Sequence, residues 1–202
     1  NGIIKQVLEK GAWDHGEEVR SVWKDGTKAY TKSISDVQIK LDGEHVPILT
    51  TKFVAWKTAI KELLWIWQKQ SNIVADLREQ GVYIWDDWEC FNPGGKWHGT
   101  IGPAYGFQLG KPVREVFSNG TFEVLNQVDY VIHMLKTQPT NRGILTTLWV
   151  PEYLDEMMIR PCVWNTQWIK FNGKLNLTVG VRSNDLCLGN PFNVFQYHVL
   201  HR

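Results

Sequence analysis

Arg160 to Asn193 reads R-P-C-V-W-N-T-Q-W-I-K-F-N-G-K-L-N-L-T-V-G-V-R-S-N-D-L-C-L-G-N-P-F-N, a stretch that spells out two strands, a turn and the start of a helix. Asn172-Gly173 separates two runs rich in Val, Ile, Thr, Trp and Leu, the strongest short-range signal for a hairpin closed by a two-residue type I′ turn. Pairing Phe171 with Lys174 runs the register back until Cys162 lies across from Ser183, with Arg182 one step away. Strict alternation then puts Ser183 on the face of Cys162 and Arg182 on the opposite, more polar face with Lys174, Asn176 and Thr178. For Arg182 to serve the cysteine the sheet needs a bulge or a sharp twist, and Gly180 is the residue that would allow one. Beyond the hairpin, Asn190 reads as an N-cap with Pro191 in the first helical position. Val194, Tyr197 and Leu200 follow at helical spacing, so Asn193 projects from the first turn.

Working outward, Asn141-Arg142 precedes a strand over 144–150. Val128, Val131, Ile132 and Leu135 form a helix face that ends before Pro139. The segment from Cys90 to Pro103 is rich in Gly and Pro and reads as a long loop. Trp56, Ala59, Ile60, Leu63, Leu64 and Trp67 recur at helical spacing and predict a buried helix over 54–68, with Glu62 set among them. A carboxylate so near a core is costly to ionise unless paired, and its pKa is often raised. Ser71-Asn72 caps a further helix over 73–80 ended by Gly81. Val37, Ile39 and Leu41 alternate as a strand that stops at Asp42-Gly43. Ile3, Ile4, Val7 and Leu8 make a short amphipathic helix stopped by Gly11.

At 202 residues the sequence is long enough for one domain with a real core. A net charge of +1, with both signs spread along the chain, leaves no nucleic-acid or membrane footprint. Three cysteines (Cys90, Cys162, Cys187) with no C-x-x-C pair argue against a disulfide framework and for a reducing, cytoplasmic setting. The histidines show no H-x-x-x-H or H-E-x-x-H spacing, so no metal site is expected. There is no G-x-G-x-x-G phosphate loop.

P-C-V-x-x-x-Q-W followed by R-S-N-D-x-x-L-G-N-P-F-N resembles the active-site core of the thymidylate synthase family. P-I-L-T-T-K (Pro47 to Lys52), K-E-L-L-W (Lys61 to Trp65), I-W-D-D-W (Ile84 to Trp88) and G-P-A-Y-G-F-Q (Gly102 to Gln108) fall in the family's order and extend the resemblance over almost the whole chain. It implies reductive methylation of dUMP to dTMP with 5,10-methylenetetrahydrofolate as one-carbon and hydride donor, through a cysteine adduct at uracil C6. The implied fold is α+β: a twisted mixed sheet carrying the hairpin, helices on one face, and the other face buried in a homodimer. Because the sequence starts at Asn1 and stops at Arg202 inside a helix, it is expected to be a single catalytic domain, 1–202, truncated at its C-terminus.

The resemblance also assigns roles. Cys162 is the nucleophile, since a thiolate is soft and strongly nucleophilic and a cation nearby favours that form. Arg182, Ser183, Arg20 and Arg142, the last from a partner subunit, grip the phosphate through charge-assisted bonds. Glu62 organises water and proton transfer near the pyrimidine O4, and Tyr105 takes the C5 proton. Asn193 reads the base, because a carboxamide can accept from uracil N3–H and donate to O4 whereas cytosine presents the reverse pattern. Gln167 and Asp185 join the substrate set. Trp85, Trp88, Ile159, Asp185 and Gly189 line the folate site. The family's paired arginine is reduced here to Arg142 alone, and Val163 and Val150 replace a common histidine and asparagine.

By residue type alone each of these has a plainer reading: a small buried cysteine, a solvated Arg20, a helix-flank Glu62, core tryptophans, a turn aspartate at 185. Cys90 and Cys187 are read as structural. Two functional alternatives stand beside methylation. One is a dUMP hydroxymethylase of the same superfamily, in which water replaces hydride in the last step; the other is a non-catalytic fragment that dimerises and binds nucleotide.

Overall fold

The computed structural model describes residues 2–16, 18–19, 21–118 and 120–202, and Arg20 lies outside them. The chain divides into two compact units, Asn1–His45 and Val46–Arg202. In the first, α1 (Gly2–Lys10) ends where Gly11 N–H bonds Val7 O. A side chain at Gly11 would meet that same carbonyl, so glycine is what lets the chain turn there. Two short strands, β1 (Ala12–Trp13) and β2 (Lys32–Ser33), pair antiparallel. The Asp14 carboxylate accepts from both Thr31 N–H and Thr31 Oγ1 beside them. Residues 37–41, expected as a strand, form none: the alternating Val37, Ile39 and Leu41 have no ladder partner and remain exposed.

In the second unit, α2 (Trp56–Trp67) buries Ala59, Leu63, Trp65, Ile66 and Trp67 together with Glu62. Burial of each large apolar side chain is worth about 1.5–3 kcal/mol, which stabilises a helix that has no side-chain cap. The expected 73–80 helix contracts to α3 (Ala75–Arg78), because Ile73 is drawn into an isolated antiparallel bridge with Thr100. Arg78 then pairs with Asp86 at 3.0 Å and with Glu89, tying the 3-10 turn Asp86–Trp88 to α3 and fixing the orientation of Trp85.

The remaining elements are α4 (Gly106–Gly110), the hairpin β3 (Pro112–Ser118) and β4 (Thr121–Asn126), α5 (Gln127–Thr137), β5 (Leu145–Thr147), β6 (Val163–Phe171), β7 (Lys174–Val181) and α6 (Gly189–His201). Strands β5, β6 and β7 form an antiparallel sheet in that order. One of its faces buries Thr146, Thr166 and Trp168; the Thr146 and Thr166 hydroxyls bond each other at 2.7 Å and the Trp168 indole donates to Thr166, so the polar atoms stay satisfied. α2 packs on α6 and α4, and α4 on α5. This gathering of helices and antiparallel strands around one apolar cluster is the α+β architecture expected.

The hairpin forms where expected. Asn172 and Gly173 have φ of 50° and 74°, the pair of positive values a type I′ turn requires, and Phe171 faces Lys174. The expected register holds as far as Asn165 opposite Gly180. It then slips by one, with Val163 facing Val181 and Trp164 as the extra residue of a bulge. The expected pairing of Cys162 with Ser183 is thereby corrected: Cys162 O accepts from Arg182 N–H at 2.9 Å. The α6 boundary also differs, since the helix begins at Gly189 with Leu188 in the capping position, two residues ahead of the expected Asn190 cap.

Candidate active site

Gly180 makes the bulge possible. A Cβ there would lie 2.1 Å from Asn165 Oδ1 and 2.8 Å from Trp164 Nε1, so the strands can approach only because position 180 is bare. The slip brings Arg182 to the start of β6. Its Nε donates to Pro161 O at 2.9 Å and its Nη2 to Arg160 O at 2.7 Å, while the guanidinium lies 5.5 Å from the centre of the Trp149 ring. Nη1 takes no bond within the described chain. The cation is therefore held against the two residues that precede the half-buried Cys162 and keeps donors for a ligand.

Cys162 is fixed from the other side by Tyr105. The Cys162 N–H donates to the Tyr105 hydroxyl at 3.0 Å, across 57 positions of sequence. Tyr105 caps α4 in a conformation with φ 44° and ψ −103°, which costs about 1–3 kcal/mol for a residue with a side chain. Gly106, next to it, packs so tightly on the residue 70–71 backbone that a Cβ would meet Ser71 O at 2.1 Å. Burial pushes the Tyr105 phenol well above its ordinary range and keeps it neutral.

The Tyr105 ring meets the Trp85 ring edge-on at 5.5 Å between centres, and the Trp85 indole N–H donates to Glu62 Oε1. Glu62 Oε2 accepts from the Gln196 amide on α6. Burial lifts the Glu62 carboxyl to about 6, the two N–H donors opposing that rise by stabilising the ionised form. A carboxyl titrating so close to neutrality in the middle of a helix interface is suited to passing protons. One line of contacts thus runs Arg182, Cys162, Tyr105, Trp85, Glu62, Gln196, linking β7, β6, α4, α2 and α6.

Asn193 stands on α6 three residues before Gln196 and four before Tyr197, so all three share one face of the helix. Asn193 is half-buried, and among the described residues its carboxamide takes no bond. Asp185 closes the turn ahead of α6, its Oδ1 accepting from Cys187 N–H at 2.7 Å and Leu188 N–H at 2.9 Å. The neighbouring Asn190 has a buried Nδ2 without a partner. Gly189 opens the helix. Beside it an apolar cavity of about 180 Å³ is walled by Lys52, Phe53 and Val54 on one side and Leu188, Pro191 and Phe192 on the other.

Among the other candidates, Ser183 and Arg142 are exposed, and Gln167 donates to the Arg142 carbonyl at 2.8 Å, fixing the turn into β5. Ile159 packs against the core cluster and Trp88 stands at the surface. Arg20 lies outside the described residues. The sequence reading missed Gln196, Tyr197 and Trp149. An amide at position 196, on the helical stripe between Asn193 and Leu200, was the one available signal for the first of them. Among the described residues no group of three or more His, Cys, Asp or Glu side chains gathers to hold a metal, and no helix is long and apolar enough to cross a membrane.

A half-buried cysteine whose backbone is held by an arginine and by a neutral phenol, with an ionisable carboxyl three contacts away, belongs to an α+β fold arranged as an enzyme of the group-transfer class. A thymidylate synthase family model matches residues 1–202. Thymidylate synthases of Bacillus subtilis subsp. natto and of Bacillus phage phi3T are each 54% identical over 203 residues, spanning 100% of this chain and 69% of theirs. The solved structure of thermostable thymidylate synthase A from Bacillus subtilis superposes with a TM-score of 0.90 at 54% identity, over 98% of this chain and 68% of that one. The chain belongs to the thymidylate synthase family.

Proposed function

We propose that the chain catalyses reductive methylation of dUMP to dTMP with 5,10-methylenetetrahydrofolate, releasing dihydrofolate. The observation that supports this most directly is the bulge at Trp164 and Gly180, which sets the Arg182 cation beside the segment carrying Cys162. In this reading the Cys162 sulfur adds to C6 of the uracil. The electron pair displaced from the C5–C6 double bond makes C5 nucleophilic, with charge spreading onto O4. Glu62, titrating near 6, handles the proton at O4. Tyr105, neutral through burial, relays the C5 proton: its oxygen takes that proton as its own hydroxyl proton passes to water in the site, while it keeps the Cys162 N–H. Expulsion of the Cys162 thiolate restores the ring. Asn193 presents its free carboxamide to the N3–O4 edge.

The folate supplies the transferred carbon and the hydride when bound. The apolar cavity beside Gly189, with Lys52 at its margin, suits a flat aryl group that ends in a carboxylate. Trp85, Trp88, Ile159 and Asp185 are its proposed neighbours. Arg182, Ser183 and a partner's equivalent of Arg142 grip the phosphate. Partnering uses the uncovered sheet face on which Leu145, Thr147, Asn165 and Gln167 lie, giving a homodimer in the cytoplasm with residues 1–202 acting as one catalytic domain. Incubation with 5-fluoro-dUMP and the folate, followed by intact-mass measurement, tests the reading: the native protein gains both ligands covalently and Cys162→Ser gains neither. Capture by Cys162→Ser would remove Cys162 as nucleophile, and a hydroxymethyl product mass would replace methylation by hydroxymethylation.

A further inference from the structure

Gln196 is 4% exposed, in the middle of α6, and its amide nitrogen donates twice: to Ala59 O at 2.9 Å and to Glu62 Oε2. The Ala59 carbonyl is an acceptor only, and so is the Glu62 carboxylate when ionised. A flipped amide would set its oxygen against a carbonyl and a carboxylate, so one orientation is dictated. On the other side, Glu62 Oε1 takes the Trp85 indole N–H. The carboxyl is thus held between two N–H donors, neither of which can accept a proton from it. Among the described residues, titratable groups that face it include the phenols of Tyr105, at the start of α4, and Tyr197, on α6, both driven upward by burial and therefore neutral. The side-chain partners of this carboxyl among the described residues are the Trp85 indole and the Gln196 amide, neither of them a cation. Within a buried α2–α6 interface the ionised form of Glu62 is sustained by two neutral hydrogen bonds, and Gln196 supplies one of them.

We infer that Gln196 is a positioning residue for the proton-handling step: anchored by the α2 backbone, it locks the Glu62 carboxylate in one rotamer and holds it ionised at neutral pH. The inference rests on the role proposed above for Glu62 in one respect only, the consequence for turnover. Its other half, the ionisation of Glu62, stands on the hydrogen bonds from Gln196 and Trp85 whatever the chemistry. Gln196→Met keeps the length and apolar bulk of the side chain and removes both bonds. A hydrogen bond to a charged group is strong enough that losing one moves a carboxyl upward by about one to two pH units. At pH 7 the ionised fraction of Glu62 then falls from roughly nine-tenths to between about a half and a tenth. Gln196→Glu provides the sign control, because a second carboxyl beside the first raises the titration further.

Two measurements on the intact enzyme test this. The first is the Glu62 titration itself, followed by the carboxyl band in difference infrared spectra with Glu62→Gln subtracted. It is expected to move up in Gln196→Met and further in Gln196→Glu; an unmoved titration in Gln196→Met overturns the inference. The second is the pH dependence of kcat for dTMP formation. The acid limb is expected to rise with the titration, with kcat at pH 7 falling about two- to tenfold, recovering toward pH 9, and with KM for dUMP little changed. A loss of kcat equal at all pH values makes Gln196 merely structural and overturns its positioning role. A shifted titration beside an unshifted acid limb leaves the Gln196–Glu62 linkage standing and overturns the part assigned to Glu62 in turnover.

Discussion

Gly180→Ala probes the device on which the cysteine's surroundings depend. The added methyl would sit 2.1 Å from Asn165 Oδ1, 2.8 Å from Trp164 Nε1 and 2.9 Å from Trp164 Cε2. The amide end of Asn165 can swing away. The Trp164 ring is bulkier and belongs to the bulged residue, whose carbonyl accepts from Leu148 N–H and so stitches β6 to the segment after β5. Overpacking of this kind costs about 1–3 kcal/mol. At about 2–4 °C per kcal/mol for a chain of this size, Tm falls by about 2–12 °C. If the strands slide to relieve the overlap, Arg182 N–H leaves Cys162 O and the guanidinium leaves the Pro161 and Arg160 carbonyls. A displacement of about 1 Å at a catalytic centre is enough for a loss on the order of 10²-fold in kcat/KM. Thermal unfolding by circular dichroism and steady-state dTMP formation read the two effects. Gly16→Ala, whose methyl meets nothing within 4 Å, is the control. Gly180→Ala combined with Asn165→Ala regains part of the Tm and leaves the Trp164 overlap in place. A Gly180→Ala enzyme with native Tm and kcat/KM would refute the claim that the bare position holds the bulge.

Two further outcomes follow from the same contacts. Glu62 titrates near 6 when folded against 4.5 for the ordinary carboxyl, so between those values the native state binds more proton than the unfolded one. Stability is therefore lost as pH rises through that window, by about 2 kcal/mol on the 1.36 kcal/mol per pH unit scale, and Glu62→Gln removes that component from the Tm–pH curve; an identical slope in both proteins would contradict the burial argument. Tyr105→Phe leaves the Cys162 N–H without its acceptor, at a cost of about 1–3 kcal/mol, and lowers kcat while the calorimetric Kd for dUMP stays within a few-fold; equal losses in both would assign Tyr105 to ground-state binding instead.

The hairpin was legible because Asn172-Gly173 meets a stereochemical demand that few dipeptides satisfy. The bulge was half legible: Gly180 stood out, but the register count alone put Ser183 where Arg182 belongs, since a one-residue slip leaves no trace in alternation. The β3–β4 hairpin went unread although Asn119-Gly120 lies between its strands, the same signal as at 172–173. The opposite error occurred at Val37, Ile39 and Leu41, where alternation without a partner strand produced no strand. Glu62, Tyr105 and Cys162 were placed by motif. Gln196 was not, because its meaning arises only when α6 docks on α2 across 134 positions of sequence.

Asn193 and Gln196 ride on the same helix about 4.5 Å apart along its axis. Whatever rotates or slides α6 over α2 therefore displaces, in concert, the Asn193 amide proposed to read the base and the Gln196 amide that donates to Glu62. Residues that seat this helix, such as Phe195, accordingly act as a single tuning screw for two properties usually treated separately. Across a library of variants at that seam, choice of pyrimidine and pH optimum should drift together, and lineages of this scaffold that retune one will carry a matching change in the other.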